Sequence, residues 1–456
     1  MQTMQKKAQT PRRPEIILFL IFVILTVGFW VLAWRRHVTY VRASTEATSS
    51  VMYKTIEEKE NIFVRFDMEA YDIIQNNYWK KSTDAEMAEL FQMSFTKAAS
   101  STLGQVTKDR AGTAKMLKEG FSLITDEGRK KELARNTLVI ALYNLPPTGR
   151  NGVLSTKAET ALRETVSNID RSKDLYQNLG LDKGSSIEVV EKVYQEKKKE
   201  LEQKDTPEAK EELKQATYAH EVLAKPDSKV FYDKNQIEPT VFTEVIKGKT
   251  LYVHINKIAP TTLREFGLSI LLASTTKDLD SMIIDIRGNI GGALDFAPYF
   301  LGLFLGERQY AFDLFHQGDY TVHRTMLSKL PELSRYKEIA LLTDEMTQST
   351  AELLSASFKR FRLGHVIGKT TRGWGTVENT YPITTALTQG ETYSLLLVNS
   401  ITLRDDGEPI EGRGVDPDID IRMTGWEKNL EDRFRLPSII SAIKVVISQN
   451  PIKAFQ

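Results

Sequence analysis

The sequence predicts an α/β (α+β) core in its C-terminal half, preceded by an N-terminal membrane-crossing helix, a helical subdomain and a helical hairpin. Three observations carry this reading. After residue 240, short apolar runs fit for buried strands alternate with glycine-bearing turns and helical stretches. Before it, apolar residues recur at three- and four-residue intervals, as helices with one buried stripe require. At the N-terminus, Ile16 to Trp34 carry no formal charge.

Taken in order, residues 1–15 form a basic tail and residues 16–34 a span of about 28 Å as a helix, near the thickness of a bilayer core. Trp30 and Trp34 close the span and Arg35 and Arg36 follow directly, the pattern of an uncleaved anchor rather than of a signal peptide ending in a small-x-small site. The small excess of basic residues before the span places the N-terminus in the cytoplasm. Residues 60–170 read as a helical subdomain: Phe63, Met68, Tyr71, Ile74 and Tyr78, then Met87, Leu90, Phe91 and Phe95, make two buried stripes. Its helices are interrupted at Leu145-Pro146-Pro147-Thr148-Gly149. Residues 174–234 form a separate unit, with Ser186 placed to cap one helix and Thr206-Pro207-Glu208 to open the next. The core occupies 240–425. Thr250–Ile255 and Leu279–Ile286 read as strands, as does Glu338–Leu342, which leads through a Ser/Thr-rich turn into a helix from Leu353 to Phe361. Residues 426–456, through Leu436-Pro437-Ser438, read as one terminal amphipathic helix.

Composition excludes several functions. Lys+Arg 61 against Asp+Glu 60 gives a net charge of +1, which provides no field for nucleic acid. The absence of cysteine rules out disulfides, a cysteine nucleophile and thiolate zinc sites. The six histidines show no His-x-x-x-His spacing, so no metal and no cofactor is expected; His254, inside a strand, reads as a satisfied interior residue.

Two places could carry chemistry. Arg287-Gly288-Asn289-Ile290-Gly291-Gly292 ends a strand, and glycines there let backbone N–H groups approach a bound carbonyl. Ser349 stands at a strand-to-helix turn, where a serine is either a helix cap or a nucleophile served by the positive helix N-terminus.

Four ordered motifs then resemble a known family. They are Ile283-Ile284-Asp285-Ile286-Arg287-Gly288-Asn289-Ile290-Gly291-Gly292; the Ser349 turn with Glu352; Val366 to Val377; and Gly412-Arg413-Gly414-Val415-Asp416-Pro417-Asp418. Together they are similar to the tail-specific, or C-terminal-processing, serine proteases. The resemblance implies a protease core of that type over 240–425, Ser349 as nucleophile, and Gly291, Gly292 and Thr350 as oxyanion donors. It implies a polypeptide substrate or ligand. The family's PDZ domain would fall within 174–234, where no PDZ sequence is found. In the family a lysine of lowered pKa is the general base. Here the corresponding Gly-Lys-Gly reads Gly373-Trp374-Gly375. An indole N–H donates and cannot accept a proton at neutral pH. Lys369, Lys359 and His365 are the candidate substitutes. The expectation is therefore either an altered peptidase or an inactive peptide-binding or scaffold protein. It is expected in a bacterial cytoplasmic membrane, with the soluble part on the outer side.

The 174–234 unit has its own resemblance. Tyr218-Ala219-His220-Glu221-Val222-Leu223, with Pro226-Asp227 and Tyr232-Asp233, is similar to the closing helices of a J-domain. That family's His-Pro-Asp tripeptide would fall at Glu202-Gln203-Lys204, so a heat-shock chaperone partnership is not expected.

Overall fold

The computed structural model describes residues 54–100, 107–168, 174–204 and 206–449. The chain divides into two units, Met1–Lys59 and Glu60–Gln456. The expected tail and anchor, 1–15 and 16–34, lie outside the described residues; among those described, no helix is long and apolar enough to cross a membrane.

In the second unit the helical stripes form as their spacing requires. Asn61 Oδ1 accepts the amides of Phe63 and Val64 to start α1 (Ile62–Asn77). Thr83 and Glu86 close a reciprocal box that starts α2 (Asp84–Ala99). Asp109 and Asp126 cap α3 (Arg110–Ser122) and α4 (Glu127–Asn144). Their apolar faces meet in an aromatic cluster in which Phe95 stands edge-on to Phe121 at 5.2 Å and Tyr71 lies 5.3 Å from Phe91.

One side chain in this core is out of place. Asp67 on α1 is fully buried, and among the described residues neither of its carboxylate oxygens has a hydrogen-bond partner. Burial pushes its carboxyl well above the usual carboxylate range. The native state therefore holds the proton more tightly than the unfolded chain. Asp67's contribution is intact below about pH 4 and is lost as pH rises through the native value. Asp67→Asn should unfold at higher urea than the parent protein by about 1–3 kcal/mol at pH 8, with the gap closing toward pH 4. Parallel stability profiles across that range would refute this.

Beyond α4 the expected helical subdomain contains a strand, β1 (Gly152–Ser155), before α5 (Thr156–Val166). Four residues are too few for an alternation to register in sequence; pairing partners far along the chain supply the stability. The 174–234 unit is α6 (Leu175–Leu179), α7 (Ile187–Glu202), α8 (Pro207–Leu223) and α9 (Pro226–Asn235), packed around Tyr176, Val190, Tyr194, Ala219 and Val222.

The rest alternates strands and helices: β2 (Val241–Ile246), β3 (Thr250–Ile255), α10 (Thr262–Ala273), β4 (Ser281–Asp285), α11 (Phe296–Leu305), β5 (Tyr310–His316), β6 (Asp319–Arg324), β7 (Glu338–Thr343), α12 (Thr350–Phe361), β8 (His365–Gly368), β9 (Thr376–Thr388), β10 (Glu391–Thr402) and β11 (Ile419–Asp420). Two sheets result. One runs β11-β8-β7-β4-β3-β2, parallel from β11 through β3 and closed by the antiparallel β2. The other runs β1-β10-β5-β6, with β9 also pairing with β10. Tyr393, Leu395 and Leu397 on β10 complete the core of α1–α4. The C-terminus is two helices, α13 (Trp426–Arg433) and α14 (Pro437–Ser448), rather than the single one expected. Pro437 has no N–H for a continuing helix and disfavours the helical region at Leu436, so it starts a new helix as its first residue.

Candidate active site

The carboxyl ends of neighbouring parallel strands bring distant motifs together, and in open α/β sheets ligands bind at such ends. From β4 comes Arg287–Gly292, from β7 comes Asp344–Ser349, and from β8 comes Lys369–Gly375. Polar contacts stitch the first two loops. Asp344 Oδ1 accepts the Gly288 amide at 2.8 Å, Thr347 Oγ1 donates to Ile286 O at 3.0 Å, and the Gln348 amide donates to Asn289 O at 2.8 Å. Thr350 Oγ1 donates to Gly292 O at 2.9 Å.

Ser349 begins α12 with φ 54° and ψ −127°. A non-glycine residue held there is strained, at a typical cost of about 1–3 kcal/mol, and persists only because its surroundings fix it. Gly291 is pressed against this turn: a Cβ on it would lie 2.7 Å from Ser349 Cβ and 3.0 Å from the Thr350 nitrogen. Only glycine fits, since φ there is also +84°. Of the three expected oxyanion donors, the Gly291 amide is already given to Asn289 Oδ1 at 2.8 Å. Gly291 thus contributes close approach rather than a donor. The amides of Gly292 and Thr350 have no hydrogen bond among the described residues.

Glu352 joins the Ser349 turn to the third loop. Fully buried, it accepts the Ser349 amide at 2.9 Å, the Trp374 amide at 2.7 Å, the Gly373 amide at 2.6 Å and the Thr371 hydroxyl at 2.6 Å. Burial raises its carboxyl above the ordinary range, and these four bonds oppose that.

Trp374 is thereby fixed beside the turn and is 40% exposed. The Arg150 guanidinium lies 3.7 Å above the ring centre, and that of Arg372 4.9 Å from it. Arg150 also donates to Glu411 Oε1 at 3.2 Å, and Glu411 Oε2 takes the Gly375 amide at 2.9 Å. The candidate substitute bases are engaged elsewhere. Lys369 Nζ pairs with Glu345 at 3.0 Å. Lys359 Nζ donates to Asp416 O at 2.8 Å. His365 starts β8, at the end away from the turn, with its ring against Phe434. Among the described residues no lysine or histidine hydrogen-bonds Ser349 Oγ. His254 is buried, with Nδ1 3.1 Å from Asp285 O, as an interior histidine should be.

Sequence reasoning did not find Arg150 and Glu411. Arg150 follows the Pro146-Pro147 turn with no local sign of function, and only the folded chain brings it to Trp374, more than 200 residues away.

The parallel sheet thus presents a strained serine at a strand-to-helix turn, next to two amides without a hydrogen bond among the described residues. The chain matches peptidase family S41 over residues 249–421. Among proteins, it is 28% identical over 197 residues to the "Probable CtpA-like serine protease" of Staphylococcus aureus, covering 43% of this chain and 37% of that protein. It is 32% identical over 180 residues to the tricorn protease of Thermoplasma acidophilum, covering 38% and 15%. The match thus spans little more than a third of the Staphylococcus aureus protein's length and 15% of the tricorn protease's. Among solved structures, the photosystem II D1 C-terminal processing protease aligns at a TM-score of 0.45 and 13% identity, covering 80% of this chain and 93% of that one. A lipoprotein from Streptococcus agalactiae aligns at 0.44 and 13%, covering 82% and 97%.

Proposed function

We propose that the protein binds extended or C-terminal polypeptide segments in the Ser349 cleft and hydrolyses them slowly or not at all. The observation that carries this is Trp374: Glu352 holds its loop to the Ser349 turn, yet the indole offers no lone pair to take the serine proton. General-base help is worth about 10² to 10⁴ in rate. Binding needs none of it, because an extended segment is held by backbone groups and side-chain pockets. The Gly292 and Thr350 amides supply donors for a substrate carbonyl in either case. A fluorescent unfolded polypeptide titrated into the full chain should bind saturably, equally well with Ser349→Ala, and yield little product. Rapid cleavage that Ser349→Ala abolishes would overturn the reading, and its further loss in Lys369→Ala would name the substitute base.

The proposal extends to location. The 16–34 segment serves as a single-pass anchor in a bacterial cytoplasmic membrane, with residues from about 40 onward outside. Protease added to spheroplasts should digest that part, and complete protection would rule it out. The 174–234 unit serves as a degenerate J-type hairpin for packing or docking, since it lacks the His-Pro-Asp tripeptide.

A further inference from the structure

The 174–235 helices meet the six-stranded sheet at its edge, along α8 and β2. Part of this seam is aromatic: the Tyr218 ring lies 6.3 Å from that of Phe242, and Lys225 Nζ lies 5.5 Å from the Phe242 ring centre. The rest is acidic. Glu221 Oε2 on α8 and Glu238 Oε1 on the connector to β2 are shut off from water, with no hydrogen-bond partner among the described residues. The other oxygen of Glu238 takes the Tyr218 hydroxyl. From β2, the Glu244 charge acts on Glu221; Lys225, at the start of α9, is the cation that opposes it. Glu265 on α10 is occupied by the amides of Thr240 and Val241, at 2.6 and 3.0 Å. His220 points to the other side of α8, 2.5 Å from Glu191 on α7. A carboxylate oxygen buried without a donor is costly when ionised and far less so when protonated.

We propose that docking of the 174–235 helices on the sheet edge depends on a proton: α8 packs on β2 with Glu221 protonated, and ionisation of Glu221 loosens this contact while the sheet stays folded. Burial pushes the Glu221 carboxyl up to about 7, with Lys225 opposing the shift and Glu244 adding to it. The docked value exceeds the free one, so docking is complete below the ordinary glutamate value and is lost as pH rises through 7. With about 4.3 for the undocked group, the opening equilibrium should grow about tenfold between pH 6 and pH 8.

Hydrogen exchange of the full chain, corrected for intrinsic rates, tests this. Amides of α8 and β2 should lose about tenfold in protection from pH 6 to pH 8, while those of β4 and β7 do not change. Glu221→Gln should abolish the difference. Glu244→Gln, on the exposed edge of the sheet, removes a like charge and should move the transition to lower pH. Equal protection at both pH values, or an undiminished response in Glu221→Gln, overturns the proposal. Should Glu221→Gln fail to fold, an unmoved transition in Glu244→Gln does so.

Discussion

Trp374→Lys should raise the rate at which Ser349 reacts with a fluorophosphonate by about 10² to 10⁴, and peptide cleavage should appear with it. The Trp374 backbone is already held to the Ser349 turn through Glu352, so a side chain there starts from a fixed point. Trp374 is 40% exposed, so removing its ring opens no sealed cavity. The new amine would stand between Arg150 and Arg372, whose guanidiniums now flank the indole. Like charges disfavour a protonated amine and lower its pKa, which is what a general base at neutral pH requires. Arg150 loses a cation–π contact worth about 0.5–2 kcal/mol but keeps Glu411. The gain should vanish when Ser349→Ala is added, and shrink with Arg150→Gln, which removes one flanking charge. A folded Trp374→Lys protein that labels no faster than the parent would mean that a missing base is not what limits Ser349.

The second large effect concerns Glu352→Ala. It leaves the Ser349, Gly373 and Trp374 amides and the Thr371 hydroxyl without their acceptor at a buried site. Each buried donor left unpaired costs about 1–3 kcal/mol, and partial relaxation keeps the sum to roughly 3–5 kcal/mol. For a domain of this size that is a fall of roughly 6–20 °C in melting temperature. Polypeptide binding should be lost with it, because the strained Ser349 backbone no longer has a partner to hold it. Glu352→Gln fills the same space but turns one acceptor into a donor facing other donors. It should recover less than half of the stability. Full recovery by Gln would show that Glu352 acts by volume rather than by accepting hydrogen bonds.

Three central strands of the sheet that carries the site, β3, β4 and β7, are readable because each has a local signature. Leu279–Ile286 and Glu338–Leu342 are short apolar runs of the buried parallel kind, and each ends in the turn residues that the site uses. Ser349 and Gly291 were visible for the same reason, as one backbone shape and one absence of Cβ. What stayed hidden depends on partners far away in sequence. β1 exists because Gly152–Ser155 lie opposite Leu396–Tyr393. Arg150 and Glu411 matter because of a ring that neither neighbours in the chain. The Gly291 amide is taken by Asn289 Oδ1, two residues earlier. No glycine pattern reveals such a bond.

The pairing of β1 with β10 also bears on the order in which the molecule is made. The wall that closes the α1–α4 core is Tyr393, Leu395 and Leu397, so those four helices leave the ribosome with one side of their interior uncovered. About 250 further residues must be synthesised before that side arrives, a delay of roughly 12–50 s at 5–20 residues per second. Throughout that interval Phe66, whose final neighbour is the Tyr393 ring at 5.8 Å, has only other nascent helices or a chaperone to cover it.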